Sequence, residues 1–115
     1  MPGNKFRRII RTEEIYAPRD IQISSRLGGG TLKELVKREL PSKRVIYYAL
    51  AYINPLICGV DNGRVLGYDN SHGFSHKHFM GKRSDEPFHS YEGLYDKFQI
   101  EWMELAIKFV NGELS

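Results

Sequence analysis

His72, His76 and His78 put three of the chain's four histidines within seven positions. They lie in the stretch Gly67-Tyr68-Asp69-Asn70-Ser71-His72-Gly73-Phe74-Ser75-His76-Lys77-His78-Phe79. Histidine both gives and takes a proton near neutral pH. Packing alone does not explain three of them beside a carboxylate, a phenol and a cation, and the set suits acid–base work on a phosphate ester. Metal-free RNA cleavage needs a base for the 2′-hydroxyl proton and an acid for the 5′-oxygen. It also needs a cation for the charge that builds at phosphorus. His76 and His78 are the candidate base and acid, with His72 as a third. Asp69 is suited to orienting a histidine ring through its Nδ1, and Tyr68 to stacking on a base or donating to a phosphate oxygen. Lys82, Arg83, Arg64 and Lys77 are the candidate phosphate-binding groups, although a regular strand would turn Lys77 away from His76 and His78.

Two other chemistries fit the same residues. His72-x-x-x-His76-x-His78 with Asp69 offers nitrogen and oxygen donors for a divalent metal, which would make a metal-dependent hydrolase or nuclease. Tyr47, Tyr48, Tyr52, Tyr68 and the basic patches would alternatively form a passive surface for RNA or protein. Plainer roles stand beside these. Tyr68 reads equally as a sheet aromatic, Asp69-Asn70 as a turn at a strand end, and His89, alone before the last helix, as structural. Cys58 reads as a small buried residue. Gly28-Gly29-Gly30 lacks a following Lys-Ser/Thr pair, so it reads as a hinge and not a phosphate loop.

The elements that must position these residues follow from the rest of the chain. Its 115 residues fit one domain with a modest core. The count of 17 Lys and Arg against 14 Asp and Glu gives a net charge of +3, compatible with a polyanionic partner but too mild to require one. The cations are concentrated at 5–11, 33–44 and 77–83, so the positive field is uneven. A single cysteine excludes an intrachain disulfide and suits a reducing cytoplasm. The basic N-terminus lacks the apolar run of a secretion signal, and the longest apolar run, Val45 to Ile53, is too short to span a bilayer.

Residues 1–30 read as a basic, weakly structured segment, in which Phe6–Ile10 is a short strand or a basic arm and Pro18 breaks the apolar positions. Residues 31–115 read as a single α+β domain. Thr31 and Glu34 have capping-box spacing, which predicts a short helix over 31–40 with Leu32, Leu35 and Val36 as its stripe. Val45–Ile53 reads as a central strand, covered on both faces or lined on one by aromatics that function uses. Asp61-Asn62-Gly63 predicts a hairpin joining Ile57–Val60 to Arg64–Tyr68. Ser75–Met80 alternates like a further strand, with His76 and His78 on one face and Lys77 and Phe79 on the other. Ser90 caps a helix of about twenty residues carrying Tyr91, Leu94, Tyr95, Phe98, Trp102, Leu105 and Phe109, with Gly112 as its stop.

With these elements placed, the middle of the chain resembles a known family. Gly63-Arg-Val-Leu-Gly-Tyr68-Asp69-Asn70-Ser71-His72-Gly73, then His76-Lys77-His78, then Pro87-Phe88 and Ser90-Tyr91-Glu92 before a helix, look like the TumE-type toxins of bacterial and archaeal toxin–antitoxin modules. The resemblance covers residues 45 to 106. It does not extend to residues 1–44, and the charged Gly81–Glu86 segment departs from it. It implies a growth-inhibiting, RNA-cleaving toxin encoded beside a helix-turn-helix antitoxin. The expected fold is an antiparallel sheet of about four strands, with the C-terminal helix packed on one face and a shorter helix earlier. That order is like the compact RNase toxins of the RelE and HigB type, by analogy of architecture. The expected protein is a cytoplasmic, metal-independent endoribonuclease without a cofactor, whose partners are RNA and the antitoxin. A homo-oligomer is compatible with the sequence.

Overall fold

The computed structural model describes residues 20–114 together with the backbone of 11–16. Phe6–Ile10, read above as a strand or basic arm, and Pro18 lie outside the described residues. The described residues form seven strands: β1 (Arg11–Tyr16), β2 (Ile21–Gln22), β3 (Thr31–Leu40), β4 (Val45–Ile53), β5 (Arg64–Asp69), β6 (His76–Phe79) and β7 (Lys82–Asp85). One long helix follows, α1 (Tyr91–Val110). The strands make one antiparallel sheet in the order β1-β3-β4-β5-β6-β7, with β2 also paired to β3. The expected α+β class, with a C-terminal helix on an antiparallel sheet, is therefore what the chain adopts. Two finer expectations need correction.

The first is the short helix over 31–40, which is the ten-residue strand β3. Thr-Leu-Lys-Glu-Leu-Val-Lys-Arg-Glu-Leu is good helix composition, and the capping-box spacing is real. Propensity differences of a few tenths of a kcal/mol per residue are nevertheless small beside tertiary pairing. Here β3 lies between β4 on one side and β1 and β2 on the other. Period-2 spacing turns Val36 into the core and carries Glu34 to the Tyr91 hydroxyl, which donates a short hydrogen bond to it. Arg38 reaches Glu92, 3.9 Å away.

The second correction is the strand count. Besides β3, the charged Lys82–Asp85 pairs in register with β6, Arg83 opposite His78 and Asp85 opposite His76. The turn between them, Met80-Gly81, has positive φ at both residues, as the twist of a tight hairpin favours. No hydrophobic periodicity announces this strand, because all four of its residues are exposed at the sheet edge, where charge protects against unwanted strand pairing. Ile57–Val60 is likewise not a strand. β5 pairs instead with β4, across a loop that Asn54 and Gly63 organise. The Asn54 side chain donates to Gly28 O and accepts from Leu56 N. Gly63, at φ +81°, would bring a Cβ within 2.9 Å of Pro55, so only glycine fits.

Helix α1 begins as expected, with Ser90 Oγ accepting from Gly93 N at 3.0 Å. Its Tyr91, Leu94 and Phe98 pack on Tyr48, Leu50, Tyr52 and Tyr68 of the sheet. The contacts are ring on ring: Phe98 meets Tyr68 edge-on at 6.4 Å, and Trp102 meets Tyr52 at 5.7 Å. β4 alternates accordingly. Tyr48, Leu50 and Tyr52 are buried under α1, while Tyr47, Ala49, Ala51 and Ile53 are only partly covered on the opposite face. Among the described residues, no helix is long and apolar enough to cross a membrane.

The buried tyrosines make stability sensitive to alkali. Burial is the largest cause raising the phenols of Tyr48, Tyr52, Tyr68 and Tyr91 above their ordinary 10.0. A raised folded-state value leaves the stabilisation intact below the unfolded value and removes it as pH climbs beyond that point. The unfolding midpoint in urea is expected to hold level up to about pH 9.5 and to fall steeply above about pH 10. A midpoint that stays level to about pH 11 would contradict this.

Candidate functional site

The histidine-rich motif lies on β5, a short turn and β6, and strand alternation divides it between the two faces of the sheet. In the register Asp69 faces His76, Gly67 faces His78, Tyr68 faces Lys77 and Leu66 faces Phe79. Tyr68 and Lys77 point to the helix, where both meet Glu101. Asp69, His76 and His78 therefore occupy the face away from α1, and the sequence-based division of His76 and His78 from Lys77 and Phe79 holds.

On that face His78 meets Asp69 Oδ2 at 2.9 Å, through Nε2 and not through the expected Nδ1. An ionised carboxylate only accepts, so this bond puts the ring proton on Nε2 and leaves Nδ1 with the lone pair in the neutral tautomer. The other Asp69 oxygen accepts from Ser71 N at 3.1 Å, which locks the carboxylate at the strand end. His76 lies beside the pair, its ring centroid 6.4 Å from that of His78. It is only 7% exposed, and its Nδ1 has no hydrogen-bond partner. Leaving a buried polar atom unpaired costs about 1–3 kcal/mol.

Asn70 has a structural task. Its amide accepts from Tyr48 N at 2.9 Å and donates to Ile46 O at 3.1 Å, continuing the β4–β5 ladder one residue past its end. This bond anchors the turn that carries Ser71, His72 and Gly73. His72 itself is exposed there at φ +63°.

Arg64 is held over the same face. Its Nε donates to Asp61 Oδ2 at 2.8 Å, and Nη1 lies 3.9 Å from Asp69 Oδ2. The side chain crosses Gly67, where a Cβ would come within 2.8 Å of Arg64 Cδ and 3.2 Å of Leu50 O. Arg83, opposite His78 on β7, adds a second cation to this face. Gly67→Ala is expected to push the Arg64 arm aside while leaving the strand intact. If Arg64 stabilises charge at this site, activity should fall by roughly fivefold, about 1 kcal/mol. Arg64→Ala, assayed beside it, should produce a loss at least as large, and a Gly67→Ala variant with full activity would remove Arg64 from the site.

The remaining candidates are not brought together with the histidine pair. Tyr68 is fully buried, and burial followed by its bond to Glu101 pushes its phenol well above the ordinary value. It is a core tyrosine on the wrong face for this site. Lys77 is 3.3 Å from Glu101 and 5.6 Å from the Tyr68 ring centroid, also on the helix side. Lys82 faces Phe79 across the hairpin, so alternation places it with that set. Among the described residues, no three His, Cys, Asp or Glu side chains are grouped to hold a metal ion, so His72, His76 and His78 do not form the ligand set the metal reading needs. Of the passive-platform tyrosines, only Tyr47 is turned away from the core, with Lys37 Nζ 5.8 Å from its ring centroid. Cys58 is buried, and His89 is exposed beside a concavity of about 430 Å³ at the start of α1.

Sequence reasoning missed Asp61 and Glu101. The three-residue spacing of Asp61 and Arg64 was a usable signal for their ion pair. Nothing in the helix pattern marks Glu101, which sits at a half-buried position and binds two sheet residues. No family model, curated protein or solved structure matches this chain.

Proposed function

We propose that this chain is the RNA-cleaving toxin of a toxin–antitoxin module, acting by metal-independent acid–base catalysis in the cytoplasm. The observation that carries the reading is the His78–Asp69 pair beside a buried His76 whose Nδ1 is unpaired. In this reading His78, oriented by Asp69, takes the 2′-hydroxyl proton through Nδ1. The freed oxygen attacks phosphorus, giving a 2′,3′-cyclic phosphate, and His76 returns a proton to the departing 5′-oxygen. Arg64 and Arg83 offset the charge on the phosphoryl oxygens. The TumE-like motif supports the same reading, because its Asp69, His76 and His78 are the residues that meet. It also names the expected partner, a helix-turn-helix antitoxin.

The test is cleavage of a labelled RNA by purified wild type and by the His76→Ala, His78→Ala double variant, with and without chelator. Cleavage that survives chelator, ends in a cyclic phosphate and disappears in the double variant is the expected result. Activity lost to chelator would return the histidines to metal chemistry. RNA bound but never cut would make the face a passive binding surface.

A further inference from the structure

Helix α1 carries a second apolar stripe that the core does not use. Ile100, Met103, Ile107 and Val110 are 60%, 44%, 60% and 52% exposed, at spacings of three, four and three residues. The Ser25–Leu27 turn docks beside them, so close that a Cβ added at Gly28 would touch Phe109 and Val110 at 3.5 Å. It adds Leu27, which is 57% exposed. Leu27, Trp102, Met103, Ile107 and Val110 line an apolar groove of about 340 Å³. Isolated exposed apolar residues are ordinary, but a contiguous helical seam of them marks an interaction surface.

We propose that this seam joins two copies of the chain, related by a two-fold axis that crosses α1 between Met103 and Ile107. The seam is complementary to itself under that operation. Ile100 meets the partner's Val110, Met103 meets the partner's Ile107, and each contact recurs by symmetry. The charges choose the direction. Asp96 lies in line with the stripe toward the N-terminal end of α1, while Arg26 flanks the groove beside Val110 and Asn111. Antiparallel helices bring Asp96 of one copy to the Arg26 end of the other and set the helix dipoles head to tail. Parallel helices would place Asp96 against Asp96. The histidine face lies on the other side of the sheet, so the dimer presents two outward sites and does not depend on the nuclease reading.

Sedimentation equilibrium of the full chain from 1 to about 100 µM separates the outcomes. Wild type is expected at twice 13.3 kDa. Ile107→Glu, which puts a charge at the seam's centre, is expected to be monomeric with an unchanged circular dichroism spectrum. Arg26→Glu should weaken association by about tenfold or more, and adding Asp96→Arg should restore most of it. A wild-type monomer at every concentration overturns the proposal, whatever else covers the stripe. So does an Ile107→Glu dimer. An Arg26→Glu, Asp96→Arg double variant no tighter than Arg26→Glu alone overturns the antiparallel arrangement.

Discussion

If the face cleaves RNA as proposed, replacing His78 with alanine is expected to lower that rate by about 10²–10⁴-fold, the span that a positioned general base contributes. The fold should be unchanged, because His78 sits on a partly exposed sheet face and its partner Asp69 keeps its bond from Ser71 N. Asp69→Asn separates orientation from charge. The amide can still meet the ring, but it also offers a donor, so the tautomer is no longer dictated and the charge of the protonated ring is no longer balanced. Its loss should be smaller than that of His78→Ala but in the same assay and direction. His72→Ala and Tyr68→Phe serve as comparators. Both residues belong to the motif, yet one is on an exposed turn and the other is buried against Phe98, so both variants should keep most of the activity. Measuring all four on one labelled RNA, with circular dichroism as the control for folding, makes the site assignable. If His78→Ala cuts as fast as His72→Ala, the dyad is structural.

The largest stability effect is expected at Phe98. It is buried where α1 packs on the sheet, edge-on to Tyr68. Truncating a buried phenylalanine costs about 3–5 kcal/mol through lost transfer energy and the cavity left behind. Against a total stability of about 5–15 kcal/mol, Phe98→Ala should lower the melting temperature by roughly 15 °C and bring the protein close to unfolding at 37 °C. Leu56→Ala is the control. Leu56 is as apolar but 76% exposed, so its loss should stay within about 0.5 kcal/mol. Urea denaturation of the two variants beside wild type decides the matter. Equal midpoints would mean that α1 does not seat on the sheet through Phe98.

These two residues also mark how much was legible beforehand. Phe98 belongs to a helix whose apolar period, Ser90 cap and Gly112 stop all agree, and that agreement made α1 readable to within a residue or two. The histidine pair was legible for a similar reason. An alternating strand must put His76 and His78 on one face whatever else the protein does. Asp69 was expected to orient a histidine, but which ring it meets, and through which nitrogen, is set by the register of the neighbouring strand. Tyr68 was misplaced by nearness in sequence: it adjoins Asp69, and in a strand adjacency means opposite faces.

β3 shows the limit most clearly. Its residues favour a helix locally, and only the pairing groups of β4 and β1 on either side turn the balance. β7 carries no apolar signal, since an edge strand contributes backbone bonds and not buried side chains. From composition and period alone came an α+β chain, its long helix, its central strand and a two-histidine face. These are local properties, set by the alternation of side chains along a strand or around a helix. The registers of β5 and β6, the seat of Asp69 against His78, the burial of His76 and the seating of α1 on the Tyr68 and Lys77 face were decided by tertiary structure. Each depends on which strand lies beside which, and that choice is made by burial and backbone pairing across the whole sheet.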